Sequence, residues 1–389
     1  MGAEVEYYKG GIFFFYSDKF GQISPLECAL MRIEEINKEA WELYRNLPLP
    51  ESKYTSLKWW KEDEYLTDGN FEVWVEGGDK VEVNFVKEEG IGDLVPINSH
   101  KFIALHYAKL DRILRVEFPE GLKTDEPVYI KVNVKGRGHL HVLLRGKRGS
   151  KGEIVISVEG RGLYTEVVET FVDEEADIKI GALDNLEYDS VVFSQRAVKT
   201  LRYSKAQVVG AWFGGKFVKS KHLIKPIGEE SYIEDVQVIL GHKEQHFDIS
   251  THLDFSAPYT KGESSIRAVL KDSSRAVMHG LIDIEREAQF ADAYLSEHAM
   301  LLNPGARADS IPGLEIMANQ VRATHGATVG PIDPEKLFYL MSRGLDEISA
   351  TKLIVIGFFE DATSRIGIEE VREAIYNNVE EVLGKGQPV

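Results

Sequence analysis

The chain has 389 residues, a length that allows two or three structural regions around a large core. Asp and Glu number 63 against 46 Lys and Arg, so the net charge is −17. This acidic balance argues against a general binder of nucleic acid or of anionic membranes. The longest apolar runs, 11–16 and 353–359, are shorter than the roughly 18 residues of a membrane helix. The N-terminus lacks the basic-then-apolar pattern of a secretory signal, and we therefore expect a cytoplasmic protein.

The first predicted element is a helix that starts at a capping box formed by Ser24 and Glu27 and stops before Pro48. Cys28, the only cysteine of the chain, lies in the first turn of this helix. A single cysteine excludes an intrachain disulfide and any multi-thiolate metal site built by this chain alone. We expect Cys28 to pack as a small buried or half-buried residue, with a lowered thiol pKa at the helix start as the alternative.

Strand signals begin after an aromatic and charged stretch that contains Trp59 and Trp60. Apolar residues alternate with polar ones over 71–75 and 81–85, which predicts two strands. Further on, short strand-like runs separated by glycines recur up to about Leu302, and among them are 128–134, 140–144, 154–158, 163–168 and 206–212. This spacing suits a sandwich, a barrel or a solenoid, and no strict repeat selects among them.

The stretch from Arg307 to Leu345 joins the β region to a predicted helical tail. Its small-residue run, 323–328, is predicted to be extended and to place His325 in a tight turn beside Gly326. A structural turn in which His325 satisfies backbone carbonyls is the simpler interpretation of this histidine. Asp333 and Pro334 have the form of an N-cap followed by proline at the first helical position. Tail helices are predicted over 333–342, 346–359 and 368–383.

Two other kinds of site can be weighed from the sequence. The chain has no phosphate-binding G-x-x-x-x-G-K-[ST] motif, so we expect it to bind no nucleotide. His242, His246 and His252, with Asp248, have the composition of a metal site. The surrounding residues, 232–240 and 246–255, are predicted strands, where a spacing of four residues separates two rings by about 13 Å, too far for one zinc ion. We expect no metal site there.

The junction and tail resemble the SufB/SufD family of iron-sulfur cluster assembly proteins, and the details favour SufD. The shared signature consists of Pro312, Leu314-Glu315-Ile316, His325-Gly326-Ala327-Thr328, Phe338-Tyr339-Leu340 and Ser342-Arg343-Gly344-Leu345. Residues 248–267 and 274–302 look like the preceding core of the same family. The resemblance is specific over about 200–360 and looser in the N-terminal half.

The resemblance implies a mainly β fold, a right-handed parallel β-helix with helical regions at both ends. We expect an N-terminal helical region over 1–68, a β-helix core over 69–330 and a C-terminal helical domain over 331–389. It further implies an assembly scaffold subunit rather than an enzyme. In this family the core ends pair SufB with SufD, the tail docks the ATPase SufC, and ATP hydrolysis belongs to SufC.

Candidate site residues follow from the same resemblance. Glu297 stands where SufB has a cysteine, Gly326 where SufB has a glutamate, and Ala323 where SufD chains commonly have a cysteine. His325, with Glu297, is therefore the candidate ligand set for iron or a transient iron-sulfur cluster at a subunit interface. The candidate residues for SufC docking are Leu337, Phe338, Tyr339, Arg343 and Gly344. Ordinary helix packing is the alternative for the apolar members.

Two alternatives to a SufD-type subunit stay open at this point. The chain could be the SufB-like subunit of a reduced system, working as a homodimer with SufC, although Glu297 in place of the cysteine weighs against this. The other alternative is a carbohydrate-active enzyme on a β-helix, for which Asp235, Asp248 and Asp254 supply carboxylates. Such enzymes usually act outside the cell.

Overall fold

The computed structural model describes residues 33–66, 69–78, 80–87 and 91–384. The helices within these ranges are α1 (Ile33–Asn46), α2 (Glu62–Tyr65), α3 (Lys101–Ala108), α4 (Pro334–Ser342), α5 (Glu347–Thr363) and α6 (Glu369–Leu383). The helix predicted before Pro48 is confirmed over its second half, as α1, whereas its capping box and Cys28 lie outside the described residues. The three predicted tail helices are confirmed as α4, α5 and α6. The Asp333 side chain caps α4 by accepting from the amides of Glu335 and Lys336.

The strands described are β1 (Asn70–Glu76), β2 (Glu82–Val86), β3 (Ile113–Phe118), β4 (Val128–Gly146), β5 (Lys151–Val172), β6 (Asp177–Asp184), β7 (Val191–Thr200), β8 (Lys205–Trp212), β9 (Phe217–Pro226), β10 (Tyr232–Gly241), β11 (His246–Phe255), β12 (Lys261–Leu270), β13 (Arg275–Ile284), β14 (Asp292–Leu301), β15 (Arg307–Ile316) and β16 (Arg322–Pro331). The two strands predicted over 71–75 and 81–85 are thereby confirmed, as β1 and β2.

From β5 onward the strands form a parallel solenoid. The even-numbered strands β6 to β16 stack in order into one sheet, which we name the even sheet. The odd-numbered strands β5 to β15 stack into the opposite one, the odd sheet. Each coil therefore gives one strand to each sheet, and all pairings between coils are parallel. The predicted parallel β-helix is confirmed.

The core lies between the two sheets because alternate residues of every strand point inward. In β10, Ile233 and Ile239 belong to this internal apolar cluster. Val236 and Val238 point outward and belong to a second cluster, which includes Phe359 of α5 and Val371 of α6. The tail helices α5 and α6 thus cover the outer face of the even sheet. Burial of one such large side chain contributes about 1.5–3 kcal/mol.

The N-terminal helices cover part of the outer face of the odd sheet. Ile36 of α1 and Ile103 of α3 pack with Val167 of β5 and Ala197 of β7. The helix α3 was absent from the sequence-based prediction. Six of its eight residues are buried, so it lacks the one-sided apolar pattern by which a surface helix is recognised.

The first two long strands differ from the prediction, which had divided each of them at its glycines. β4 and β5 run unbroken for 19 and 22 residues. Gly136 and Gly162 lie opposite each other in the register, and a Cβ on Gly162 would come within 2.0 Å of the Gly136 carbonyl oxygen. These glycines allow close approach within a continuous strand pair and do not end it.

In the part of the chain that the structure describes, no helix is both long enough and apolar enough to cross a membrane.

Candidate functional site

The two ends of the solenoid differ in how their strand edges are covered. At the N-terminal end, β1 pairs antiparallel with β4, and β2 pairs antiparallel with β3, which in turn lies beside β4. At the other end, β15 and β16 each pair with a single strand among the described residues. Leu314, Ile316 and Val329 are exposed there. An uncovered strand edge with apolar side chains is a ready surface for pairing with another chain.

His325 lies within β16, so the extended conformation predicted for 323–328 is confirmed and the tight turn around His325 is wrong. All ten residues of β16 pair in register with β14, from Arg322 opposite Asp292 to Pro331 opposite Leu301. The neighbouring coil supplies backbone partners that hold the small-residue run extended, and Gly326 is one more strand residue. His325 is exposed, which also overturns its interpretation as a buried group that satisfies carbonyls.

Glu297 is wholly buried and connects the two sheets at the last coil. It lies on β14, while its Oε2 accepts hydrogen bonds from the Ser310 hydroxyl and, at 3.0 Å, from the Ile311 amide of β15. A Cβ on Gly280 would lie 2.8 Å from the other oxygen, Oε1, so a larger residue could not occupy that position unchanged. Burial raises the pKa of Glu297, and the hydrogen bonds from Ser310 and Ile311 oppose this effect.

His325 and Glu297 occupy neighbouring strands, because Leu295 is the register partner of His325. Burial raises the pKa of Glu297, and an electrostatic effect of His325 opposes that rise, so the two groups lie within electrostatic reach. The pair offers one exposed imidazole, that of His325, and one carboxylate, that of Glu297, whose Oε2 already accepts two hydrogen bonds. Among the described residues, no three His, Cys, Asp or Glu side chains are grouped to hold a metal ion.

The other sequence-derived candidates are separated in the structure. His246 lies 3.4 Å from the Thr55 hydroxyl and His252 lies 3.7 Å from Asp283, so they face different neighbours. The carboxylates considered for carbohydrate chemistry are also not free. Asp235 is inside the solenoid, and Asp248 and Asp254 are ion-paired with Lys219 and Lys225 at 2.7 and 2.6 Å.

A buried polar network inside the solenoid was not predicted from the sequence. The Glu166 carboxylate accepts from Ser194 and Arg196, each at 2.8 Å, and the Arg196 guanidinium lies over the Trp212 ring. Close to this carboxylate, burial and the negative charge of Glu166 raise the pKa of Asp184 to about 7. Alternation places these charged side chains at inward positions of their strands, and this was the available signal.

The same network continues on the next coils around Asp235. Its Oδ1 lies 2.7 Å from His222 Nδ1. Its Oδ2 accepts hydrogen bonds from the Thr251 and Ser264 hydroxyls, each at 2.8 Å. Each of these side chains is buried. The interior of the solenoid therefore combines apolar layers with a hydrogen-bonded polar layer, in which charges are paired as burial requires.

A second buried network fixes the N-terminal region to the odd sheet. Glu169 of β5 accepts hydrogen bonds from the amides of Gly92, Leu94 and Val95 at 2.8, 2.7 and 3.0 Å. His141 lies 3.3 Å from the same carboxylate and 3.2 Å from His106 of α3. Burial holds the pKa of His106 well below its usual range, so this histidine is neutral at physiological pH.

The tail presents an exposed apolar surface next to the open end. No residue of α4 is buried, and Phe338 and Tyr339 are 73% and 56% exposed. The Arg343 guanidinium lies 5.1 Å from the centre of the Tyr339 ring. Of the other two candidate docking residues, Leu337 is half-buried and Gly344 is exposed, with φ of 101° after the helix. We name Leu337, Phe338, Tyr339, Arg343 and Gly344 the α4 surface.

A groove of about 540 Å³ separates α4 from α5. Its apolar lining comes from Tyr339 and Leu340 of α4 and from Leu353 and Ile354 of α5. Leu353 is itself 51% exposed. Exposed aromatic and aliphatic side chains around a concave surface are typical of a protein docking site.

Comparison with known proteins gives a consistent result. Residues 130–358 match the family model described as SUF system FeS cluster assembly, SufBD core domain. The iron-sulfur cluster assembly protein SufD of Bacillus subtilis is 27% identical over 315 residues, which cover 78% of this chain and 71% of that protein. A SufBD family protein of Mycobacterium bovis is 29% identical over 269 residues, covering 66% of this chain and 68% of that protein. A SufBD family protein of Pyrococcus horikoshii is 26% identical over 299 residues, with coverages of 74% and 66%.

Proposed function

The chain belongs to the SufBD family of iron-sulfur cluster assembly proteins, and we propose that it is the SufD-type subunit of a SUF scaffold. In this proposal it pairs with a SufB-type subunit through the open end of its solenoid and is coupled through its tail to a SufC-type ATPase. It performs no covalent catalysis itself. The similarity to SufD of Bacillus subtilis and the glutamate at position 297 support this choice of subunit.

The observation that carries the proposal is the difference between the two ends of the solenoid. Antiparallel strands cover the N-terminal end, whereas β15 and β16 leave their outer edges unpaired among the described residues. A partner with the same fold and a similar open end offers matching strands. Pairing two such ends would satisfy the edge amides and carbonyls and would cover Leu314, Ile316 and Val329.

In the proposed complex, iron or a nascent cluster is cargo held between the subunits. His325 would contribute a neutral imidazole nitrogen, which suits ferrous iron, and Glu297 a harder oxygen ligand. The SufB-type partner would supply the remaining donors, including sulfur. The exposure of His325 at the open end supports its role as a ligand. Glu297 is wholly buried, so its role as a ligand has less support.

A histidine pair tests the cargo role. His325→Ala is compared with His279→Ala, a matched control because His279 is an exposed histidine on a strand of the odd sheet. In a reconstituted complex we expect His325→Ala to slow cluster assembly, measured by the visible absorbance of the cluster, and His279→Ala to leave it unchanged. Equal rates for His325→Ala and wild type would exclude the ligand role.

Docking of the ATPase is assigned to the α4 surface. Deleting the whole tail would be a poor test, because α5 and α6 cover buried residues of the even sheet. The double variant Phe338→Ser/Tyr339→Ser removes two exposed rings and leaves that core intact. We expect it to abolish capture of a SufC-type ATPase. Trp74→Ser is the control, since Trp74 is 47% exposed at the opposite end of the solenoid. Unchanged capture by the double variant would refute the assignment.

A further inference from the structure

One corner of the solenoid carries residues with an unusual backbone. The turns between odd and even strands contain Tyr203, Glu230, Tyr259 and Phe290, one in each successive coil, with φ of 59°, 57°, 57° and 63°. Bulky aromatic residues rarely adopt this left-handed conformation, since it brings Cβ close to the following carbonyl oxygen. The same conformation occurs at Glu175 in the preceding turn of this corner, so it is a property of the turn, and what distinguishes three of the coils is the aromatic side chain there.

Two of these aromatic residues form an exposed stack. The rings of Tyr259 and Phe290 are nearly parallel, at 7°, with centroids 4.8 Å apart, and the residues are 52% and 49% exposed. Neighbouring coils are also about 4.8 Å apart. The stack therefore runs along the solenoid axis, and the second face of the Phe290 ring is directed toward the last coil.

The last coil does not continue the stack. The Tyr259 amide donates a hydrogen bond to the carbonyl of Gln289, the residue before Phe290. The Phe290 amide likewise donates a hydrogen bond to the carbonyl of Gln320. The residue equivalent to Phe290 in the last turn is therefore Val321. Val321 is partly buried and packs against the internal core. Phe290 is thus the terminal ring of the stack, next to the open end.

The size of the open end indicates that pairing needs adjoining surface. Each of its two strands has ten residues. Strands of this length extend about 33 Å, and with sheets about 10 Å apart they enclose a cross-section of roughly 330 Å². A stable specific interface buries about 800 Å² on each partner. The rim of the end must therefore contribute, and the Phe290 corner is an apolar part of that rim.

We propose that the free face of the Phe290 ring is part of the pairing surface and receives an apolar or planar side chain of the second β-solenoid subunit. This inference rests on the proposed function, because it assumes pairing at the open end. It assigns the exposed aromatic stack at this corner to partner binding, with Tyr259 holding the Phe290 ring in place.

The test measures the dissociation constant of the pair by sedimentation, with a purified SufB-type subunit or with the chain itself. Phe290→Asn removes the ring at a position that asparagine tolerates well. Phe290→Glu is a second variant, which places a charge in the same contact. Tyr203→Asn is the matched control, because it has the same turn conformation three coils further from the end. Circular dichroism confirms that each variant is folded.

We expect Phe290→Asn to weaken pairing at least about 10-fold, Phe290→Glu to weaken it more, and Tyr203→Asn to change it less than about twofold. Unchanged pairing by both Phe290 variants would overturn this inference and leave the proposed function standing. Equal weakening by Tyr203→Asn would also overturn it, since the effect would then come from the turn and not from the contact. A wild-type chain that pairs with neither protein would overturn the proposed function as well.

Discussion

Replacing Glu297 separates a structural role at the open end from a role in binding cargo. The carboxylate is wholly buried and accepts from Ser310 and Ile311 across the two sheets. Glu297→Ala removes both hydrogen bonds to a charged group and leaves the Ile311 amide without this acceptor. Each bond of this kind contributes about 1.5–3 kcal/mol, and relief of the buried charge offsets part of the loss. We expect a net loss of about 2–3 kcal/mol in the free energy of unfolding.

Glu297→Gln is the matched control, because its amide oxygen accepts the same two hydrogen bonds without the charge. We expect its stability at neutral pH to lie within about 1 kcal/mol of wild type. Burial raises the folded-state pKa of Glu297 above its unfolded value, so wild type gains stability as pH falls through the folded pKa. The glutamine variant lacks this gain. Its stability relative to wild type should therefore decrease as the medium is acidified.

The assay is urea unfolding followed by circular dichroism at several pH values, combined with hydrogen exchange of residues 307–316. We expect Glu297→Ala to lower the unfolding midpoint and to speed exchange in β15. An alanine variant as stable as wild type, with unchanged exchange in β15, would refute the structural reasoning. If Glu297→Gln retained stability but lost cluster assembly in the reconstituted complex, the ligand role would be supported separately.

Two further predictions concern the buried networks. Arg196→Met should cost about 3–5 kcal/mol in unfolding free energy, because Glu166 is left buried without its cation. The double variant with Glu166→Leu should recover most of that loss. Failure to recover it would show that the charges were not the cause. Glu169→Ala should speed hydrogen exchange of the Gly92, Leu94 and Val95 amides by at least about 30-fold, equivalent to about 2 kcal/mol. Unchanged exchange would contradict the anchoring role of this carboxylate.

The tail helices were predicted correctly from local patterns and the β-helix from the family resemblance, whereas the tight turn predicted around His325 was wrong. Caps such as Asp333 and Pro334 are local signals, and they are readable without knowledge of the tertiary structure. The conformation of 323–328 depends instead on β14, about thirty residues earlier in the chain, which supplies its hydrogen-bond partners. A run containing Gly326 indicates a turn when considered locally and becomes a strand when a neighbouring coil is present.

The buried polar residues show a second limit of sequence reasoning. Asp235 is buried on the inward face of β10 with Ile233 and Ile239, yet from composition alone it was considered as a catalytic carboxylate. Its partners His222, Thr251 and Ser264 come from three other strands. Such a network becomes visible only when the register between coils is known. The left-handed backbone of Phe290 is likewise a property of the folded turn, because no local motif predicts it.

Co-purification of this chain with SufB-type and SufC-type partners, followed by mass determination, tests the central proposal most directly. We predict one defined assembly that contains all three proteins. A stable homodimer that binds the SufC-type ATPase and ignores the SufB-type subunit would contradict the SufD assignment and favour a reduced, SufB-like system. A chain that forms no complex with either partner would contradict the proposed function itself.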